Sequence, residues 1–110
     1  MKKKVGLALG SGGARGFAHI GIINILEENK IPIDYVSGTS IGSVIAAYYA
    51  LNLNLDNLKK VSLDFKTKDI WKTLIDLNNP NISLIKGKKL KKFWGQFFGN
   101  KTFRDTKIPL

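Results

Sequence analysis

Twice before Ser43 the chain runs a short apolar or mixed stretch into a cluster of glycines and then into an apolar pattern of helical period. The first stretch, Lys3 to Leu9, leads into Gly10 to Gly16, and the second, Asp34 to Ser37, leads into Gly38 to Gly42. Runs this short, without helical period and closed at once by glycine, predict strands. Between them, from Ala14 to Glu28, Phe17, Ile20, Ile23, Ile25 and Leu26 recur at helical spacing on almost every face, which predicts a largely buried helix. Pro32, with no amide proton and a ring that clashes with a preceding turn, stops any continuation. A second helix is expected over Ser43 to Leu53, with Val44, Ala47, Tyr48 and Leu51 on one stripe. Strand, helix, strand, helix is the order of an α/β fold, with a parallel sheet, helices packed on its faces and right-handed crossovers.

Beyond Leu55 the pattern changes. Short amphipathic helices are expected over Asp56 to Phe65 and Asp69 to Leu77, each opening on an aspartate that can cap it, with a turn-rich loop from Asn78 to Ser83. From Lys88 to Phe98, Leu90, Phe93, Trp94, Phe97 and Phe98 fall at helical intervals opposite Lys89, Lys91 and Lys92. At 110 residues the length suits one core. Two strands cannot cover their own faces, and Lys107-Ile108-Pro109-Leu110 looks like the approach to another. Residues 1–110 are therefore expected to be the N-terminal part of one domain that continues after Leu110.

Composition removes several chemistries. The chain has no cysteine, which excludes disulfides, thiolate catalysis and cysteine-bound zinc, and with His19 as the only histidine a multi-histidine metal site is excluded too. Neither metal nor cofactor is expected. Met1 to Lys4 followed by Val5 to Leu9 imitates a signal peptide, but glycines and Arg15 end the apolar run too soon. No stretch approaches the roughly 20 apolar residues of a membrane span, so the expectation is a soluble, cytoplasmic protein. The net charge is +10, and eight lysines or arginines against Asp105 alone lie between Lys86 and Lys107. That asymmetry suits either a solvated lysine-rich face or an anionic partner such as a membrane surface met by Lys86 to Phe98. No recognition motif accompanies the charge, so nucleic acid is not expected as a partner.

Gly38-Thr39-Ser40-Ile41-Gly42 fits G-x-S-x-G between a predicted strand and a predicted helix. In a nucleophile elbow the serine is forced into a strained backbone conformation, and flanking glycines remove side chains that would clash there. Ser40 would stand at the sheet's carboxyl edge. The Ile41 amide and the helix N-terminus would face an oxygen that becomes negative during acyl transfer. Gly10-Ser11-Gly12-Gly13-Ala14-Arg15-Gly16, between the first strand and first helix, exposes backbone amides suited to a phosphate or an oxyanion. The dinucleotide fingerprint G-x-G-x-x-G fails from Gly10, where Arg15 takes the last glycine's place, and no Gly-Lys-Ser/Thr completes a Walker A loop. Both loops belong at the carboxyl ends of the strands, where open parallel sheets bind ligands.

In Gly12-Gly13-Ala14-Arg15-Gly16, Ala18-His19-Ile20-Gly21 and Gly38-Thr39-Ser40-Ile41-Gly42 the chain resembles the patatin-like phospholipases, and a weaker similarity continues through Lys101-Thr102-Phe103-Arg104-Asp105 to Pro109. The resemblance implies a three-layer α/β fold, represented here by its N-terminal half, and a lipid acyl-ester hydrolase with a Ser-Asp dyad. Ser40 would attack the ester carbonyl, Gly12, Gly13 and Ala14 would stabilise the oxyanion, and Arg15 with Gly16 would support that loop. Ser11 departs from a glycine common in the family. The family's aspartate lies in a later Asp-Gly-Gly or Asp-Gly-Ala, a motif this sequence lacks, so the 110 residues alone are expected to be inactive. His19, upstream of the serine in a helix expected to be buried, reads as structural rather than as a base. A phosphate-binding module and a basic membrane-adsorbing domain on the same scaffold stay open beside the hydrolase.

Overall fold

A computed structural model describes residues 3–64, 88 and 91–110. Strand β1 (Gly6–Leu9) and strand β2 (Tyr35–Gly38) pair in parallel, with Leu7 opposite Val36 and Leu9 opposite Gly38. Successive side chains of a strand alternate between faces. Leu9 and Val36 accordingly turn into the core, whereas Gly6, Ala8, Tyr35 and Ser37 stay exposed on the other side. Just ahead of the strands, the Val5 amide donates to Asp34 Oδ2 at 2.7 Å while the Asp34 amide donates to the Val5 carbonyl at 2.8 Å. That reciprocal pair sets the register at the sheet's amino edge.

A 3₁₀ turn (Gly13–Phe17) follows β1 and runs into helix α1 (Ala18–Glu28). Helix α1 ends before Pro32 could act on it: Lys30 takes a left-handed conformation with φ 56, and the amides of Lys30 and Ile31 donate back to the Glu27 and Leu26 carbonyls. This is a Schellman stop, with the proline shortly beyond it. The helix is less buried than its all-round apolar pattern predicts. Ile20 and Ile23 are in the core, but Ile22 and Ile25 are 54% and 57% exposed, because among the described residues only one face of α1 is covered.

Helix α2 (Ile41–Asn52) is the central element, with Ile41, Ile45, Ala46, Tyr48, Tyr49 and Ala50 all buried. It starts two residues before the expected Ser43, inside the G-x-S-x-G motif. Of the expected stripe only Tyr48 is fully buried; Val44, Ala47 and Leu51 are half-buried beside it. Helix α3 (Asp56–Asp64) adds Leu58, and Leu55 before it is buried as well. Residues 91–98 form helix α4. Its Trp94, Phe97 and Phe98 pack on the core, with Phe97 and Phe98 meeting Tyr48 edge-on at ring distances of 6.2 and 6.1 Å. The exposed Lys91 and Lys92 belong to the same helix. The helix expected over Asp69 to Leu77 and the loop from Asn78 to Ser83 lie outside the described residues.

The last residues return to the sheet. The Lys107 amide donates to the Ala50 carbonyl at 2.7 Å, and the Val36 amide donates to the Pro109 carbonyl at 3.1 Å. Amides of neighbouring residues in a strand point to opposite sides, and the Tyr35 amide already turns toward β1, so Pro109 lies on the side of β2 away from β1. The architecture is α/β, a parallel pair of strands with helices connecting and covering it.

Candidate active site

Ser40 sits two residues past β2, at the cap position of α2, with φ 54 and ψ −127. An L residue reaches that region only where its surroundings dictate it, at a cost of order 1–3 kcal/mol. The surroundings are visible: the Ser40 carbonyl accepts from the Ser43 amide at 2.9 Å, the Val44 amide at 3.4 Å and the Ser43 hydroxyl, while the Gly42 amide donates to the Thr39 carbonyl at 3.0 Å. The bend is closed by its own hydrogen bonds. Ser40 itself is exposed to solvent.

The glycines at either end of the motif are required by close approach rather than by φ. A Cβ on Gly38 would overlap the Gly42 backbone, and a Cβ on Gly42 would overlap the carbonyl oxygens of Leu9 and Gly10. Thr39, between them, donates its amide to the Leu9 carbonyl at 3.0 Å. The elbow is therefore packed directly on the end of β1, where the glycine-rich loop begins.

In that loop Gly12 has φ 154 and Gly13 φ 55, a conformation open to glycine and strained for other residues. The Arg15 amide donates to the Gly12 carbonyl at 3.1 Å and closes the 3₁₀ turn. The amides of Gly13 and Ala14 precede that first bond and so have no partner within the turn; the Ile41 amide is in the same position at the head of α2. Arg15 is exposed, and its contribution to the loop here is the backbone bond. Gly16 is buried against α2, where a Cβ would overlap the Ile41 side chain. The two loops thus leave the same edge of the sheet and touch at two places, Gly42 on the Leu9 and Gly10 carbonyls and Gly16 on Ile41.

His19 lies in the first turn of α1 and is half-buried, rather than inside a buried helix. Its Nε2 lies 2.7 Å from the Gly10 carbonyl oxygen. A carbonyl can only accept, so Nε2 carries the proton. That contact joins residues nine positions apart, and no spacing rule announces it.

Several of the described carboxylates are engaged elsewhere. Asp34 is bonded to Val5 at the opposite edge of the sheet, and Glu27 accepts from the Tyr49 hydroxyl at 2.8 Å. Asp105, exposed, accepts from the Thr102 amide at 2.7 Å and the Thr102 hydroxyl at 3.1 Å, and these bonds hold its carboxyl below the usual range. Asp56 opens α3, where a negative charge suits the helix N-terminus. No group of three or more histidine, cysteine or acidic side chains is placed to hold a metal among the described residues.

Comparison with known proteins places the chain in a family. Residues 7–110 match the family model described as patatin-like phospholipase. The chain is 40% identical over 115 residues to the lysophospholipase NTE1 of Pyricularia oryzae, covering 91% of this chain and 8% of that protein. It is 43% identical over 107 residues to the lysophospholipase NTE1 of Coccidioides immitis, covering 94% of this chain and 7% of that protein. The chain thus spans less than a tenth of the length of these relatives.

Proposed function

Because the chain belongs to the patatin-like phospholipase family, we propose that it supplies the nucleophile and the oxyanion site of a serine hydrolase acting on lipid acyl esters. The observation that carries the reading is Ser40 itself, held exposed at φ 54 on the carboxyl edge of the sheet, next in sequence to the Ile41 amide, which has no partner among the described residues. The relatives' name, lysophospholipase, supports a lipid ester as substrate.

In the proposed reaction Ser40 Oγ attacks the ester carbonyl carbon and its proton passes to a carboxylate. The carbonyl oxygen becomes negative and is met by the amides of Ile41 and of the loop at Gly12, Gly13 and Ala14. The ester C–O bond then breaks, the alcohol leaves with a proton, and water releases the fatty acid from the acyl-serine. Arg15 and Gly16 keep the loop closed, while Gly38, Thr39 and Gly42 keep the elbow closed. The acceptor carboxylate is proposed to be the aspartate of an Asp-Gly-Gly or Asp-Gly-Ala, which is not among these 110 residues.

The test is covalent labelling with a fluorophosphonate. The intact gene product should be labelled and Ser40→Ala should not; the isolated 110 residues should turn over little or no ester. Labelling that survives Ser40→Ala would remove Ser40 from the reaction. A second component of the proposal is peripheral contact with an anionic membrane, supported by the exposed Lys88, Lys91 and Lys92 of the basic segment.

A further inference from the structure

The carbonyl of Gly10 is held by two neighbours. His19 Nε2 donates to it at 2.7 Å. Gly42 lies so close that a Cβ there would overlap this oxygen. Gly10 is also where the loop leaves β1, and the next residues have little to fix them: Gly12 and Gly13 take φ 154 and 55, and the first bond of the 3₁₀ turn comes only at Arg15. The imidazole reaches back across that turn from the first turn of α1, so the loop is pinned at its entrance by a side chain from its exit.

We propose that His19 is a positioning residue: its hydrogen bond presses the Gly10 carbonyl against Gly42 and so keeps the amides of Gly13 and Ala14 in register with Ser40. The inference rests on the acyl-hydrolase reading above and extends it to a side chain outside both motifs' reacting groups. The neutral Nε2–H tautomer and the imidazolium both carry a proton on Nε2, so the hydrogen bond to Gly10 is available to either form. The same proton excludes Nε2 as the acceptor for Ser40. Because the amides must meet an oxygen that exists only transiently, loosening them affects the rate more than ground-state binding.

The experiment compares wild type, His19→Ala, His19→Phe, His19→Gln and Ser40→Ala in the intact gene product. Three quantities are read: the rate of fluorophosphonate labelling per folded molecule, kcat and KM on a soluble short-chain ester, and the pH profile. His19→Ala and His19→Phe should each slow labelling and lower kcat by about tenfold or more, with KM within about twofold, since small displacements of positioned groups cost rate steeply. His19→Gln, which keeps an N–H donor, should recover most of the loss and keep the acid limb of the profile. Phe retains the ring's bulk, so it carries the comparison if the Ala variant does not fold. Wild-type labelling by folded His19→Phe would overturn the proposal, and so would a Gln variant as slow as Phe that has lost its acid limb. Labelling that persists in Ser40→Ala would instead overturn the hydrolase reading, whatever His19 does.

Discussion

Ser40 stores backbone strain that the proposed chemistry needs and the fold does not. At φ 54 a Cβ is disfavoured, and a glycine would adopt the same bend freely. Ser40→Gly should therefore raise the unfolding free energy by about 1 kcal/mol while abolishing fluorophosphonate labelling. Ser40→Ala, which keeps the strained Cβ, should stay within about 0.5 kcal/mol of wild type. Denaturant titration of the three proteins decides the matter, and a glycine variant less stable than the alanine one would show the bend to be unstrained. The elbow was legible in the sequence because Gly38 and Gly42 can only be explained together: each is pressed on backbone that no side chain could displace. The clamp at His19 was not legible, since nothing in the run from Gly10 to His19 tells which of the intervening glycines bend and by how much.

At the scale of elements, the contact between α1 and α2 includes a hydrogen bond from the Tyr49 hydroxyl to Glu27. Burial first, then that bond and the carboxylate's charge, push the Tyr49 hydroxyl up from 10.0 to about 12. The folded state therefore keeps this proton where the unfolded chain releases it. Its stabilising effect is complete below pH 10 and is lost as pH rises from 10 toward 12. Across that window the denaturation midpoint of wild type should fall more steeply than that of Tyr49→Phe; parallel curves would mean that Tyr49 titrates normally. The elements themselves were readable from period and punctuation, but their faces were not. An all-round apolar pattern cannot say which face of α1 is covered, and so Ile25 was expected inside. The start of α2 was read two residues late because Ile41 and Gly42 look like turn when counted with the glycines before them. The α4 aromatics read as core rather than as a membrane-facing surface, and Phe97 and Phe98 pack against Tyr48.

For the molecule as a whole, charge and the late closure of the sheet's margin matter most. With Trp94, Phe97 and Phe98 packed inward, the exposed surface of the C-terminal part carries Lys88, Lys91, Lys92, Lys101, Arg104 and Lys107, and Phe103 stands 75% exposed among them. Adsorption to vesicles containing phosphatidylserine should be strong at about 50 mM salt, collapse near 500 mM, and be the same for Ser40→Ala. Equal binding to uncharged phosphatidylcholine vesicles would show that the basic surface does not direct the contact. The sheet raises a different matter, one of timing. The Val36 amide finds its partner in the Pro109 carbonyl, about seventy positions later, and ribosomes add roughly 5–20 residues per second. For several seconds of synthesis the nascent chain carries a bare strand margin, the sort of surface on which neighbouring chains template misassembly. Shielding of that margin during the interval should raise the yield of folded protein.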